Sequence, residues 1–347
     1  LCVIPSLTVE ASPANAIIKS GIDMIDTTGV DDFWSKLTQE YGGFFPDSKA
    51  KSVFDVVSLN ADSLKPDKIL LGFLKYLFHE IIYNGKLLAT IIILTVFAII
   101  LETMQNAFEQ SAVSKVAYAI SYMVLIIIAI NSFYVAITYA KQAIQNMVEF
   151  MVALIPLVLT LMASSGNLTS VALFHPLVIF MVNIIGMLVY TVIFPLIFFS
   201  AVLHIVSSFS ERYQVTQLAD LLKNVSIGFL GVLLTVFLTV LSVQGATGAI
   251  ADGVTINTAK YITSNFVPVV GRVIADSAET VVSASMLIKN VIGMAGVVIL
   301  LFICAFPALK IIALSFIYNF SSAIMQPLGN SPIIDCLGTI GKSLIFV

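Results

Sequence analysis

Between Phe150 and Ser210 the chain carries no Asp, Glu, Lys or Arg. As α-helix, at about 1.5 Å per residue, that run is about 90 Å long and reaches across a hydrocarbon layer of about 30 Å two or three times. A charge at the centre of a span is expensive, so uncharged runs of this length read as membrane-spanning helices. Turn signals at Gly166-Asn167 and near Pro195 divide it.

Composition supports that reading. Of 347 residues 59% are hydrophobic and 11% charged, against about 45–50% and about 25% in a typical soluble domain. A soluble fold has no interior large enough for so much apolar surface. The net charge of -3 excludes the electrostatic footprint of a nucleic-acid binder. Cys2, Cys304 and Cys336 lie far apart, which indicates neither a metal cluster nor a disulfide framework.

Further spans follow the same rule: Leu87 to Leu101, Val116 to Ala140, Asn224 to Ala251, and a last pair, Asn290 to Leu309 and Ile311 to Met325, separated near Pro307 and Lys310. With Met147 to Ala163 as one more, the expected fold is an all-α polytopic bundle of about seven or eight spans over residues 81–347. Gly245 to Lys289 carries Asp252, Lys260, Arg272, Asp276 and Glu279 beside a strong apolar face. It is expected to form a non-spanning hairpin or interfacial helix, with Arg272 and Asp276, four apart, able to pair on one face.

Most of the charge precedes the spans. Residues 15–80 are therefore expected to be a short extramembrane helical region, its apolar residues recurring at helical spacing around Trp34 and Phe54. Residues 1–14 read as the remnant of a signal peptide with cleavage near Ala11 to Ala14, or as an ordinary terminus. Ser343 to Val347 is expected to begin a further span. Lysines and arginines are spread evenly over the short loops, so the positive-inside rule gives no orientation.

Catalytic motifs are not found. Gly341-Lys342-Ser343 ends like a phosphate-binding loop, but position 336 is Cys336 rather than glycine, and no strand precedes it. His79-Glu80 lacks its second ligand, Tyr83 standing in that place. His175 and His204, with no nearby carboxylate in sequence, are expected to be neutral and bonded to backbone or serine. No metal or cofactor is expected.

Prolines are more informative. Pro156, Pro195, Pro268 and Pro307 fall in or beside apolar runs, where each removes a backbone donor. Broken helices at membrane depth occur where they line a cavity. A conduit would further bring Asn131, Asn183, Gln244, Asn290 and Asn319 onto one cavity; a scaffold would bond them locally in a dry interior. Pro156 and Pro195 stand 39 residues apart, as do Pro268 and Pro307, and at the offset of 112 Phe194-Pro195 falls on Phe306-Pro307, Ala201 on Ala313 and Ile205 on Ile317. An internal duplication is expected, with repeats at 111–209 and 213–321, in which 142–209 and 254–321 are two copies of one structural unit in inverted orientation.

Several longer stretches carry a resemblance: WSKLTQEYGGFFPDS from Trp34, QNAFEQSAVSKVAYA from Gln105, RYQVTQLADLLKN from Arg212, SVQGATGAIADGVTINTAKYITSNFVPVVGR from Ser242 and QPLGNSPIIDCL from Gln326. Together they closely resemble the stage III sporulation protein AE family of endospore-forming bacteria over nearly the whole chain. Nothing in the sequence points to an enzyme, and the resemblance, which supplies no catalytic residues, implies a multi-pass protein of the mother-cell membrane surrounding the forespore. It implies membership of a multi-protein channel built with subunits encoded beside it and a forespore-side partner, and a role in forespore development and late forespore-specific gene expression. A homo-oligomer is a further expectation; nucleic acid is not an expected partner.

Overall fold

The computed structural model describes residues 22, 25–45, 52–54, 65–107, 112–164, 168–209, 215–266, 270–329 and 331–347. Side chains at 105–107, 112, 114, 164, 168–175, 208–209, 244–266 and 270–284 lie outside that description. The regular elements among the described residues are all helical: α1 Thr28–Tyr41, α2 Pro66–Tyr83, α3 Gly85–Ala107, α4 Ala112–Ser164, α5 Leu168–Leu188, α6 Phe194–Phe209, α7 Thr216–Phe266, α8 Val270–Met325 and α9 Pro332–Leu344. A π-turn, Val189–Ile193, joins α5 to α6.

Among the described residues five helical stretches are long and apolar enough to cross a membrane: Gly85–Met104, Lys115–Ala163, Pro176–Ser207, Thr216–Val243 and Ser285–Leu328. The division expected near Pro195 is not a break, since Pro176–Ser207 runs through the π-turn as one helical stretch, and two further expected interruptions are not breaks either. The backbone stays helical through Lys141 to Glu149, so Val116–Ala140 and Met147–Ala163 belong to one helix. It also stays helical through Pro307, which unites Asn290–Leu309 with Ile311–Met325. The reason is local. Neither place has a glycine to turn the chain, Asn146 is tied within the helix by Gln142 one turn back, and a lone proline costs about 3 kcal/mol, too little to end a helix packed along its length. At 49 residues the apolar part of α4 is about 74 Å long, more than twice the hydrocarbon thickness.

The chain divides into two compact units. Unit 1 is Leu1–Ile69, Glu149–Met181 and Leu238–Phe302; unit 2 is Leu70–Val148, Val182–Phe237 and Ile303–Val347. In unit 1 the residues expected to form an extramembrane region include α1, whose amphipathic face buries Val30, Trp34, Leu37 and Tyr41. Phe33 meets Phe150 edge-on at 5.2 Å, and Phe45 meets Phe302 at 4.5 Å. At the start of α1, Asp26 accepts hydrogen bonds from the Thr28 hydroxyl and the Thr28 N–H. The hydroxyl first, then the amide, hold its carboxyl below the usual carboxylate range.

Unit 2 has the larger described core, with Ile91, Tyr122, Phe133, Ile205, Ile317 and Ile340 fully enclosed. Gly341 allows α9 to sit close on α8: a Cβ there would lie 2.6 Å from the Asn319 side chain, and the Ser315 hydroxyl donates to the Gly341 carbonyl at 2.7 Å. Buried hydroxyls in this core bond locally. Thr95, Ser121 and Ser321 donate to carbonyls one turn back, while Ser132 Oγ and Tyr318 Oη bond each other at 2.8 Å. Ser132 also donates to the Ile128 carbonyl, so removing Tyr318 leaves it satisfied, whereas removing Ser132 strands the Tyr318 hydroxyl away from water. Ser132→Ala is expected to cost about 1–3 kcal/mol and Tyr318→Phe less, and the double variant less than their sum, as a denaturation series on the four proteins would measure.

Candidate functional site

Lys141, Gln145 and Glu149 repeat at intervals of four inside α4, with Gln142 and Asn146 beside them, so one helix face turns polar midway along an apolar rod. Gln142 Nε2 donates to Asn146 Oδ1 at 3.0 Å, an i,i+4 pair that this spacing favours. In unit 2 the start of this polar face opens on a cleft of about 410 Å³. One wall is α4, with Tyr134, Thr138, Lys141, Gln142 and Gln145; the other is the π-turn and the first turns of α6, with Tyr190, Phe194, Pro195, Phe198 and Phe199.

The geometry of the second wall follows from its backbone. Phe194 N–H reaches back five residues to the Val189 carbonyl, and Pro195 has no N–H to offer either Thr191, four back, or Tyr190, five back. The π-turn absorbs the misfit and presents Tyr190 to the cleft. There the Lys141 ammonium stands 4.2 Å from the Tyr190 ring centroid. A second lysine within a span, Lys310, stands 4.9 Å from the Tyr139 ring in the same unit. A ring face offsets part of the cost of a cation in a low-dielectric setting, about 0.5–2 kcal/mol.

The cleft therefore offers amides, one ammonium group and several aromatic faces, which suit a polar or aromatic solute better than an acyl chain. Its lining residues include no carboxylate, histidine or cysteine.

The residues singled out from sequence are dispersed. Among them Pro195 lines the cleft. Pro156 is exposed and Pro307 half-buried, each inside a continuous helix. Asn131, Asn183 and Asn290 are exposed. Asn319 is half-buried and donates to the Ser315 carbonyl and hydroxyl at 3.1 and 3.2 Å. Pro268 lies outside the described residues, as do the side chains of Gln244, Arg272 and Asp276, whose backbone is helical in α7 and α8. His204 differs from expectation: its Nε2 lies 3.5 Å from Asp220 Oδ1. The carboxylate is sixteen positions away in sequence, and the connection from α6 to α7 folds it back.

Lys141 and Tyr190 were missed as functional residues because Lys141 read as a loop charge between spans. The signal was the four-residue spacing of Lys141, Gln145 and Glu149, which belongs to a helix face rather than a loop.

Comparison with known proteins now adds a family. Residues 48–347 match the family described as stage III sporulation protein AE. A protein of that name from Bacillus subtilis (strain 168) is 52% identical over 339 residues, covering 97% of this chain and 84% of the relative. No solved structure matches.

Proposed function

The chain belongs to the stage III sporulation protein AE family, and on that premise we propose that it is a membrane component of the multi-protein channel complex linking mother cell and forespore during endospore formation. Its place is the mother-cell membrane around the forespore, its partners are the other subunits of that complex and a forespore-side protein, and its loss would stop forespore development and late forespore-specific gene expression.

The observation that carries this reading is the polar face of α4 and its cleft. Polar side chains in the middle of a long apolar helix need water or protein beside them, because acyl chains cannot pair with them. Exposed Asn131 on the apolar part of α4 makes the same demand. Because it points out of its unit, the passage would be completed by neighbouring subunits or a second copy. The expected duplication would support it further, since repeats are a recurring plan in transport proteins; of the paired positions, Phe194 and Phe306, Ala201 and Ala313, and Ile205 and Ile317 are all buried.

A second reading is a non-conducting scaffold that recruits and positions the other subunits. The core of unit 2 favours it: its buried hydroxyls bond to protein, Thr95, Ser121 and Ser321 within their own helices and Ser132, Ser200 and Ser315 to neighbouring ones. Cysteine mapping separates the two. In sporulating cells carrying a chain whose own cysteines are replaced, Gln142→Cys and Gln145→Cys should react with a membrane-impermeant thiol reagent once the complex has formed. The flanking apolar positions Ile127→Cys and Val152→Cys should not. Equal protection of all four would remove the conduit and leave the scaffold.

A further inference from the structure

Two features that the sequence left without a role, His204 and Gly341-Lys342-Ser343, meet in one place. In unit 2 a second cleft, of about 430 Å³, is lined by α6 (Ile197, Ser200, Ala201, His204), α7 (Lys223), α9 (Thr339, Lys342, Ser343) and the residues after α9 (Ile345, Phe346). This is a volume that holds small ligands or a lipid headgroup, for which about 300 Å³ or more is usual.

Two of its polar groups, Lys223 and His204, face one carboxylate, that of Asp220. Lys223 Nζ lies 3.0 Å from Asp220 Oδ1 and 4.8 Å from the centroid of the Phe346 ring. The same Asp220 oxygen faces His204 Nε2. Ser200 gives its proton to the Ala219 carbonyl, and Thr339 gives its own to the Asp335 carbonyl. That leaves Lys223, Lys342 and Ser343 to donate to a ligand. The exposed Lys342 has no ion-pair partner among the described residues. Two ammonium groups against one carboxylate leave one positive charge in excess. An ammonium group with an adjacent hydroxyl is a phosphate-binding pair, the lysine acting as a point charge.

The cleft also sits at a particular depth. His204 is three residues from the end of the span Pro176–Ser207, and Lys223 seven from the start of the span Thr216–Val243. Those are about 5 and about 10 Å along their helices, so the cleft lies toward the ends of both apolar stretches, a position that suits a headgroup better than an acyl chain. Ile197, Ala201, Ile345 and Phe346 give the rest of the lining an apolar surface, as the glycerol end of a lipid requires.

We propose that this cleft binds a phosphate group, carried by an anionic phospholipid headgroup or by a small phosphate-bearing solute. Asp220 is the group opposing the anion. It is already engaged by Lys223, so Lys342 with Ser343 makes the main contact.

The test uses the purified protein in nanodiscs of phosphatidylcholine with added phosphatidylglycerol, and separately with inorganic phosphate. Acetylation of Lys342 by a water-soluble acylating reagent is followed by mass spectrometry, and lipid co-retention by native mass spectrometry. Phosphatidylglycerol should be retained over phosphatidylcholine and should protect Lys342. Lys342→Ala should weaken retention about tenfold, the worth of one charge-assisted contact, and Lys342→Arg should restore it. Protection by inorganic phosphate without lipid preference would assign the site to a soluble phosphate. Retention unchanged in Lys342→Ala and Lys342→Glu, together with no protection by either probe, would overturn the proposal. Lys342 is exposed, so these variants should fold, and an unchanged helical circular dichroism spectrum checks that they do.

Discussion

Trp34→Ala is expected to release α1 from unit 1 while the spanning helices stay folded. Trp34 is 2% exposed, lies 5.3 Å from Phe45, and Phe45 in turn meets Phe302. Deleting so large a buried ring costs about 3–5 kcal/mol. A 14-residue helix has little stability of its own to set against that loss, since isolated helices shorter than about 12–15 residues are marginal in water. Trypsin should then cleave after Lys36 far faster than in the parent protein, and Trp34→Phe should recover most of the protection. Trp34 is the only tryptophan, so Phe45→Ala gives an independent readout, a red shift of its emission. Unchanged proteolysis in both variants would show that α1 is held by something other than this aromatic chain.

The second large effect is expected at Phe306. It is 1% exposed and receives Tyr76 at 4.9 Å and Phe73 at 5.8 Å, both edge-on, the arrangement that aromatic quadrupoles favour. Phe306→Ala should cost about 3–5 kcal/mol, much of it from the contact that fixes α2. The opposite face of α2 exposes Leu70, Leu71, Leu74, Phe78 and Ile82, while Lys68, Lys75 and Glu80 make it too charged to span. A helix of this pattern suits the interface, apolar side to lipid. In the variant, amide hydrogens from residue 70 to residue 83 should exchange many times faster while those of α3 remain protected. Ile312→Ala, at a position 45% exposed on the same helix, should change neither. Equal exchange in the Phe306 variant and the parent would mean that lipid alone holds α2.

Both effects come from aromatic contacts between elements distant in the chain, and this is where the sequence is least legible. The helical class and the location of the apolar runs follow directly from charge spacing. Helix continuity did not. A proline at 307 and a polar cluster at 141–149 look the same in sequence whether the chain turns or continues, until their spacing is compared with 3.6 residues per turn. The site was legible in part. Pro195 marked the right helix, but its effect on the backbone falls on the turn before it, and Tyr190 was visible only as one more aromatic among apolar neighbours. The pairing of His204 with Asp220 depends on how the connection between two helices folds back, which no local pattern encodes.

The π-turn also sets the phase of everything that follows it. Val189, Ile193, Ile197, Ala201 and Ile205 are all buried at intervals of four, and on a 3.6-residue helix each such step rotates the side chain about 40° further from its predecessor. Over four steps a uniform helix would carry Ile205 nearly half a turn away from Val189. A turn widened to take one more residue runs the rotation backwards once, like a leap day that returns a drifting calendar to its season. Residues on either side can then share one interior without the helix bending to bring them there. It follows that the two ends of this span are not free to vary in length independently. A residue gained or lost anywhere between Val189 and Ile205 would change which side chains face inward on the far side, whatever its own chemistry.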